Sequence, residues 1–133
     1  MSSVIKTTFK IESWNEETYS QAKDGPAVFR ASVSQTYSGD LAAKSKIEYL
    51  MTTFADETST FIGIEEVLGE LEGKSGSFLL EHDGTHRDGV AKSDFVIIPH
   101  SGSGELAGIR GKGSYEATHE TAELTLEYDF EET

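Results

Sequence analysis

The chain contains no cysteine, which excludes disulfides, cysteine-ligated zinc, iron–sulfur clusters and thiol catalysis. It also lacks any apolar run long enough to cross a bilayer, so we expect no membrane association. Within residues 1–10 no basic stretch is followed by an apolar run, which predicts that there is no secretory signal. We therefore expect a cytoplasmic protein. With only two prolines, Pro26 and Pro99, most segments are free to pair as strands.

Positive charge is scarce as well. The 133 residues include 11 Lys and Arg against 24 Asp and Glu, which gives a formal net charge of −13. The basic residues are scattered, so nothing offsets the repulsion of a polyanion and we expect no nucleic-acid partner. The length is that of one domain, which predicts a single folded unit over residues 1–133.

The hydrophobic pattern alternates with a period of two in three segments. Residues 5–11, 29–37 and 124–130 each place mostly apolar side chains on one face and polar ones on the other, as half-buried strands do. Asp88-Gly89 lies between two further strand-like runs and favours a tight hairpin turn. Thirteen glycines are typical of turns and sharply bent strands. Together these features predict an all-β fold.

Two segments also fit helices. Residues 41–54 and 60–71 carry apolar residues at helical spacing, which leaves an α+β fold as the alternative. A repeated phrase favours strands instead. Glycine, an acid, leucine, small residues and then a basic residue or serine recur at 39–45, 69–75 and 104–110. The last two copies run into strand-like segments, so we expect the first to do so too.

Several short motifs occur along the chain in an order that is similar to that of a known family. These motifs are Ser13-Trp14-Asn15-Glu16, Tyr37-Ser38-Gly39-Asp40-Leu41, Glu48-Tyr49-Leu50-Met51, Phe61-Ile62-Gly63-Ile64-Glu65, Gly76-Ser77-Phe78-Leu79-Leu80-Glu81-His82 and Gly102-Ser103-Gly104-Glu105-Leu106-Ala107-Gly108-Ile109-Arg110-Gly111. Through them the chain resembles a family of small bacterial proteins classified as a domain of unknown function. That family is similar in fold to the allene oxide cyclase barrel. The resemblance implies a small closed antiparallel β-barrel of about eight strands, whose interior holds side chains or one small ligand. It carries over no activity and none of the cyclase's catalytic residues.

Four side chains are candidates for proton transfer inside such a barrel. By strand parity His82 lies on the face of Phe78, and His119 lies on the face of Tyr115. The candidate acids and bases are Glu48, Glu65, His82 and His119. A carboxylate and an imidazole in a dry cavity could exchange a proton with a ligand. The alternative interpretation places these residues at the rim, on the outer face, or in a satisfied buried pair.

No metal and no cofactor is expected. His82 and His86 have the spacing of a metal-binding helix face, but on a strand they lie about 13 Å apart, which is too far to share an ion. Trp14, the single tryptophan, lies on the opposite parity from Phe9 and Ile11. We expect it to plug one end of the barrel, or else to contact a ligand.

Three functions remain open. The resemblance and the aromatic residues spread along the strands favour binding of a small lipophilic ligand, apolar or amphipathic, in the lumen. The ligand-binding candidates are Trp14, Tyr49, Phe61, Phe78 and Tyr115. One alternative is a cofactor-independent isomerase or cyclase that works through positioning and a Glu–His proton shuttle. The other is a structural module that forms a homo-oligomer, because residues 49–54 and 95–98 are apolar on both faces.

Overall fold

A computed structural model describes the chain over residues 2–21 and 23–131, and these residues form nine strands. The strands are β1 (Ser3–Gln21), β2 (Ala27–Gly39), β3 (Leu41–Thr53), β4 (Ser59–Leu71), β5 (Lys74–Arg87), β6 (Val90–Ile97), β7 (Ser103–Gly104), β8 (Ile109–Ala117) and β9 (Ala122–Phe130). These two ranges contain no helix, and therefore none that could span a membrane. The predicted all-β class is confirmed.

The strands close into a barrel. They pair antiparallel in the order β4-β3-β2-β1-β9-β8-β6-β5, and β4 also pairs with β5, which completes the ring. The two-residue strand β7 pairs with one end of β5. The fold is thus a closed antiparallel barrel of eight strands with one short extra strand, as predicted. Closure gives most strands a partner on both edges, so few backbone groups stay unpaired.

The α+β alternative is wrong. The segments proposed as helices are strands β3 and β4, which pair with each other along their whole length. The helical pattern arose because some outward side chains are apolar too: Leu50, Ile62 and Leu68 are 43%, 58% and 62% exposed. Added to the inward apolar set, these residues fill positions three and four apart, which is the spacing of a helix face.

The predicted hairpin at Asp88-Gly89 is confirmed. These two residues join β5 to β6, and Arg87 pairs with Val90 directly before and after them. Their φ angles are 54° and 77°, and two positive φ values are what a two-residue hairpin turn requires.

The inner side chains are arranged in registered levels. The rim of the barrel is formed by the successive partners Ser59, His86, Ala91 and Ala117. The levels beneath it consist of Phe61, Gly84, Ser93 and Tyr115, then of Gly63, His82, Phe95 and Gly113, and then of Glu65, Leu80 and Ile97. The register therefore fixes how deep in the barrel each side chain lies.

The opposite end of the barrel is closed by the turn between β7 and β8. Leu106 in this turn is 1% exposed, and the neighbouring Glu105 amide donates to the carbonyl oxygen of Ser75 at 2.8 Å. Apolar packing fills this end, so free space in the lumen lies toward the rim.

Only the first part of strand β1 is paired with both of its neighbours in the barrel wall. It pairs with β9 only from Ser3 to Thr8, whereas its pairing with β2 continues to Gln21. The second half of β1 therefore has a free edge, which faces the turn between β8 and β9.

A β-bulge in β1 sets the orientation of Trp14. The pairing with β2 shifts between Ile11 and Ser13, so one extra residue is inserted there. An inserted residue reverses the alternation of faces. Trp14 consequently lies opposite the inward residue Val33 and shares the inner face with Ile11, despite their different parity.

Three inward glycines make room for aromatic rings on neighbouring strands. The cross-strand pairs are Gly63 with Tyr49, Gly84 with Phe61, and Gly113 with Phe95. A Cβ atom at Gly84 would lie 2.4 Å from the ring of Phe61 and 2.3 Å from the carbonyl oxygen of Lys92. The ring occupies the space that a side chain would need, so the barrel requires glycine at this position.

The substitution Gly84→Ala should therefore lower the free energy of unfolding by about 1–3 kcal/mol, the usual effect of overpacking a core. Urea denaturation measures the loss. Combining it with Phe61→Leu should cost less than the sum of the two single losses, because the methyl group and the ring compete for one space. Strictly additive losses would contradict this explanation.

Candidate functional site

A cavity of about 370 Å³ lies in the lumen beneath the rim. Much of its wall is apolar, and the largest of these side chains are Phe9, Phe29, Tyr49, Met51, Phe61 and Tyr115. Glu16 on β1 borders it on one side, and His119 in the turn after β8 borders it on the other. The cavity therefore opens beside the free edge of β1.

A wider groove of about 840 Å³ crosses the outer face of the barrel from β2 through β3, β4, β5 and β6 to β8. Exposed apolar side chains line it, among them Leu50, Ile62 and Val96. The groove touches the backbone region of His82, but the side chain of His82 is 0% exposed and points into the barrel. The candidate polar groups accordingly belong to the lumen and not to this groove.

An acid–base pair is buried in the barrel below the cavity. Nε2 of His82 lies 2.6 Å from Oε1 of Glu65, and both side chains are 0% exposed. His82 on β5 faces Gly63 on β4, two residues from Glu65, so the register of these strands brings the two groups together. Burial of such groups is tolerated only when they are paired and hydrogen-bonded.

Three further side chains form hydrogen bonds with this pair. The hydroxyl of Tyr37 donates to Oε2 of Glu65, and Nε2 of Gln35 donates to the same oxygen at 3.3 Å. Nε2 of Gln35 also lies 2.8 Å from the hydroxyl oxygen of Tyr37. On the other side, Nδ1 of His82 lies 2.9 Å from Oγ of Ser93. Both carboxylate oxygens and both imidazole nitrogens thus have partners, so the network is complete.

The hydrogen bonds also indicate where the protons lie. The hydroxyl of Ser93 donates to the carbonyl oxygen of Asp94 at 3.2 Å, so its oxygen is free to accept from Nδ1–H of His82. Two donors point at Oε2 of Glu65, and Oε1 lies beside Nε2 of His82. The short Nε2···Oε1 contact therefore holds one proton between the imidazole and the carboxyl group.

The floor of the cavity is formed by two phenols. The hydroxyl oxygens of Tyr49 and Tyr115 lie 3.0 Å apart. Burial raises the pKa of both phenols well above the usual value of tyrosine, so both stay neutral near pH 7. Together with Gln35 they line the cavity, which Glu65 and His82 do not reach. The acid–base pair is thus separated from the cavity by one layer of side chains.

Trp14 stands at the opening. Its ring packs against the ring of Tyr49 with 6.3 Å between centroids, and its Nε1 donates to Oε1 of Glu16 at 2.6 Å. Since Trp14 is 41% exposed and borders the cavity, it flanks the opening and does not plug the barrel.

Of the four predicted acids and bases, the structure brings Glu65 and His82 together and places the other two elsewhere. Glu48 lies on the outer face of β3, where it contacts Arg30 at 2.5 Å and accepts a hydrogen bond from Ser32. Its neighbours in the chain point inward, so strand alternation sends Glu48 outward. His119 lies exposed in the turn that follows β8, where the strand parity used to place it no longer applies.

Of the five aromatic residues predicted to bind a ligand, four border the cavity and one does not. Trp14, Tyr49, Phe61 and Tyr115 border the cavity. Phe78 is 1% exposed and does not line it. It lies nearer the closed end of the barrel, opposite the buried Val67 on β4.

Sequence reasoning missed Tyr37, Gln35 and Ser93 as parts of the site. Gln35 carried a usable signal, because it is a polar residue on the otherwise apolar face of residues 29–37. A polar group on an inward face needs a partner, which could have pointed to the buried network. Ser93 gave no such signal, since its role depends on the register of β5 with β6.

Possible metal ligands do not converge in the described ranges 2–21 and 23–131. No group of three His, Asp or Glu side chains there is placed to hold an ion. His82 points into the buried network, whereas His86 lies exposed at the rim.

The chain is similar to proteins of one family. The sequence profile of the family described as "Protein of unknown function (DUF3224)" matches residues 5–128. The crystal structure of a DUF3224 protein of unknown function from Shewanella oneidensis MR-1 has a TM-score of 0.87 and 28% sequence identity, covering 99% of this chain and 100% of that chain. Among curated proteins there is no match. These relatives support the barrel fold and supply no ligand or activity.

The buried pair leads to a stability prediction. Glu65→Gln removes the charge that pairs with His82 and leaves the imidazole buried without its anion. We expect the free energy of unfolding to fall by about 3–5 kcal/mol in urea denaturation. Glu48→Gln is the matched control, because it makes the same chemical change in the exposed pair with Arg30 and should cost about 1 kcal/mol or less. Equal losses would contradict the assigned burial.

The buried phenols lead to a pH prediction. A tyrosine in the unfolded chain titrates near pH 10, and burial raises the pKa of Tyr37 and Tyr49 in the folded state. Above about pH 10 the unfolded chain therefore loses protons that the folded chain keeps, so the free energy of unfolding should fall as the pH rises. Urea denaturation at several alkaline pH values measures the slope. Tyr49→Phe should make it shallower, whereas Tyr19→Phe, at a residue that is 73% exposed, should leave it unchanged. Equal slopes in the two variants would refute the explanation.

Proposed function

Because the chain belongs to the DUF3224 family, whose description assigns no activity, we propose a function from the cavity itself: the protein binds a small apolar or amphipathic molecule in the barrel lumen. The observation that carries the proposal is an aromatic cavity of about 370 Å³ that opens at one end. Small-molecule sites usually measure about 300–1,000 Å³ and are concave and mostly apolar.

The walls suit an apolar body. The ring of Tyr115 lies 5.5 Å from that of Phe9 and 6.4 Å from that of Phe61, measured between centroids, so the rings support one another. Supported aromatic walls keep their shape when the cavity is empty, which reduces the entropy lost on binding. Each Å² of apolar ligand or cavity surface that leaves water contributes about 25 cal/mol to the binding free energy.

The opening suits a polar end. Glu16, His86 and His119 border the cavity near the rim and in the adjoining turn. An amphipathic molecule could keep a polar group in water there while its apolar part fills the lumen. The proposal therefore covers both purely apolar and amphipathic ligands.

A second candidate is a cofactor-independent isomerase. The buried pair of Glu65 and His82 favours it, and Gln35 touches both the cavity and Glu65. A general acid or base must come within hydrogen-bond reach of the proton that it transfers. Neither member of the pair lines the cavity, so this reaction would require the floor to open. Binding without conversion needs no such step and is our first proposal.

Binding can be measured with N-phenyl-1-naphthylamine, a neutral dye that emits strongly in apolar surroundings. Its emission should rise on addition of the protein, and the emission of Trp14 should fall because the single tryptophan stands at the cavity opening. Ala91→Phe places a ring at the rim and should weaken dye binding by about tenfold or more.

Lys92→Phe is the matched control. It adds the same ring one residue further along β6, where the side chain points away from the lumen, so dye binding should be unchanged. Absence of dye binding by the unmodified protein, or equal weakening in the two variants, would overturn the proposal.

The two candidates differ in what happens to a bound molecule. Compounds extracted from the purified protein can be returned to it and followed by chromatography and mass spectrometry. They stay unchanged if the protein only binds. Conversion to an isomer of equal mass, lost in Glu65→Gln, would support the second candidate instead.

A further inference from the structure

The two phenols at the cavity floor leave one hydroxyl proton without a hydrogen bond. The hydroxyls of Tyr49 and Tyr115 each bring one proton, and the single hydrogen bond between them uses one of the two. In the part of the chain that the structure describes, neither hydroxyl has another hydrogen-bond partner. One O–H group is therefore left without an acceptor.

This donor is buried and faces the cavity. Tyr49 is 5% exposed and Tyr115 is 8% exposed, and both line the lumen. A buried donor without an acceptor costs free energy, and a group that accepts its proton regains it. A molecule in the cavity is in a position to provide that acceptor.

The aromatic rings around the phenols do not provide it. The ring of Phe61 lies 5.1 Å from that of Tyr49, and the ring of Phe9 lies 5.5 Å from that of Tyr115, which surrounds the phenols with apolar surface. Gln35 also borders the cavity, and its amide nitrogen donates to Tyr37 and Glu65. Within residues 2–21 and 23–131 the amide makes no hydrogen bond with either phenol, so the hydroxyl proton stays available to a ligand.

The apolar surroundings of the floor limit what can bind there. An anionic ligand group would leave water for a site surrounded by aromatic rings, and burying an unpaired charge costs free energy. The chain as a whole also carries a net charge of −13, which repels anions. A neutral acceptor meets the hydroxyl donor without either cost.

We propose that the lumen selects neutral molecules with an apolar body and an uncharged oxygen acceptor, such as the carbonyl of a ketone, aldehyde or ester, which enters first and accepts a hydrogen bond from the Tyr49–Tyr115 pair. This inference rests on the proposed lumen binding and adds the chemical class of the ligand.

Three probes of nearly equal shape test it by displacement of N-phenyl-1-naphthylamine. 2-Acetylnaphthalene carries a carbonyl, 2-isopropenylnaphthalene replaces its oxygen with a methylene group, and 2-naphthoate replaces the acetyl group with an anion. The ketone should bind between about two- and tenfold more tightly than the hydrocarbon, which is the usual worth of one hydrogen bond. It should also bind more tightly than the anion.

The tyrosine variants show a pattern that simple loss of packing would not give. Tyr49→Phe leaves Tyr115 with its own free proton, and Tyr115→Phe does the same for Tyr49, so each single variant should keep the preference for the ketone. The double variant has no donor and should bind the ketone and the hydrocarbon equally. All four proteins should give the same far-ultraviolet circular-dichroism spectrum, which serves as the control for folding.

A second measurement does not depend on the variants. The infrared carbonyl stretch of 2-acetylnaphthalene bound to the unmodified protein should shift to lower frequency than in hexane, as expected for a hydrogen-bonded carbonyl. Equal affinity for ketone and hydrocarbon with an unshifted stretch would overturn this inference and leave lumen binding intact. Tighter binding of the anion would also overturn it. If none of the probes displaces the dye and the dye itself does not bind, the proposed function fails as well.

Discussion

The pairing of β4 with β5 is the contact on which the rest of the structure depends. It joins Ser59–Leu71 to the neighbouring strand and turns an open sheet into a closed barrel. Only after closure do the alternate side chains of all eight strands share one interior. The same ladder places His82 beside Glu65 and leaves space for Phe61 over Gly84. A slip of one residue would send all of these groups to the outer face.

The barrel also needs one interruption in order to have a cavity that can be reached. Beyond Thr8, β1 no longer pairs with β9, and its free edge supplies one side of the opening. A free edge invites pairing with other chains unless it is charged or distorted. This edge carries a bulge and the charged residues Glu12, Glu16 and Glu17, so it has both protections. The bulge has a second effect, because it turns Trp14 toward the lumen.

The all-β class could be predicted from the sequence, since a period of two was visible in residues 5–11, 29–37 and 124–130 and those segments are strands. Closure into a barrel was implied by the family resemblance and not by this period. The period failed as a guide where outward residues are apolar, as in β3 and β4. It failed again at Trp14, because a bulge leaves no trace in composition.

The inward direction of Glu65 and His82 was predictable from parity, but their partners were not. The partners Tyr37 and Ser93 come from β2 and β6, and which residues of separate strands meet depends on register and on the shear of the closed barrel. The outward orientation of Glu48 could have been predicted, because its two chain neighbours were already expected to point inward. The position of His119 could not have been predicted in this way, because strand parity does not apply beyond the end of a strand.

The buried hydrogen-bond network and the cavity are best understood as one structural unit. A buried ion pair is weak support for stability, and apolar residues of similar size often replace one at no cost. Its presence in this barrel therefore calls for another reason, and the position of Glu65 offers one. Glu65 lies one layer behind the cavity floor and accepts a hydrogen bond from Gln35, which itself borders the cavity. The complete network of hydrogen bonds thus fixes the side chains on which the floor of the cavity rests.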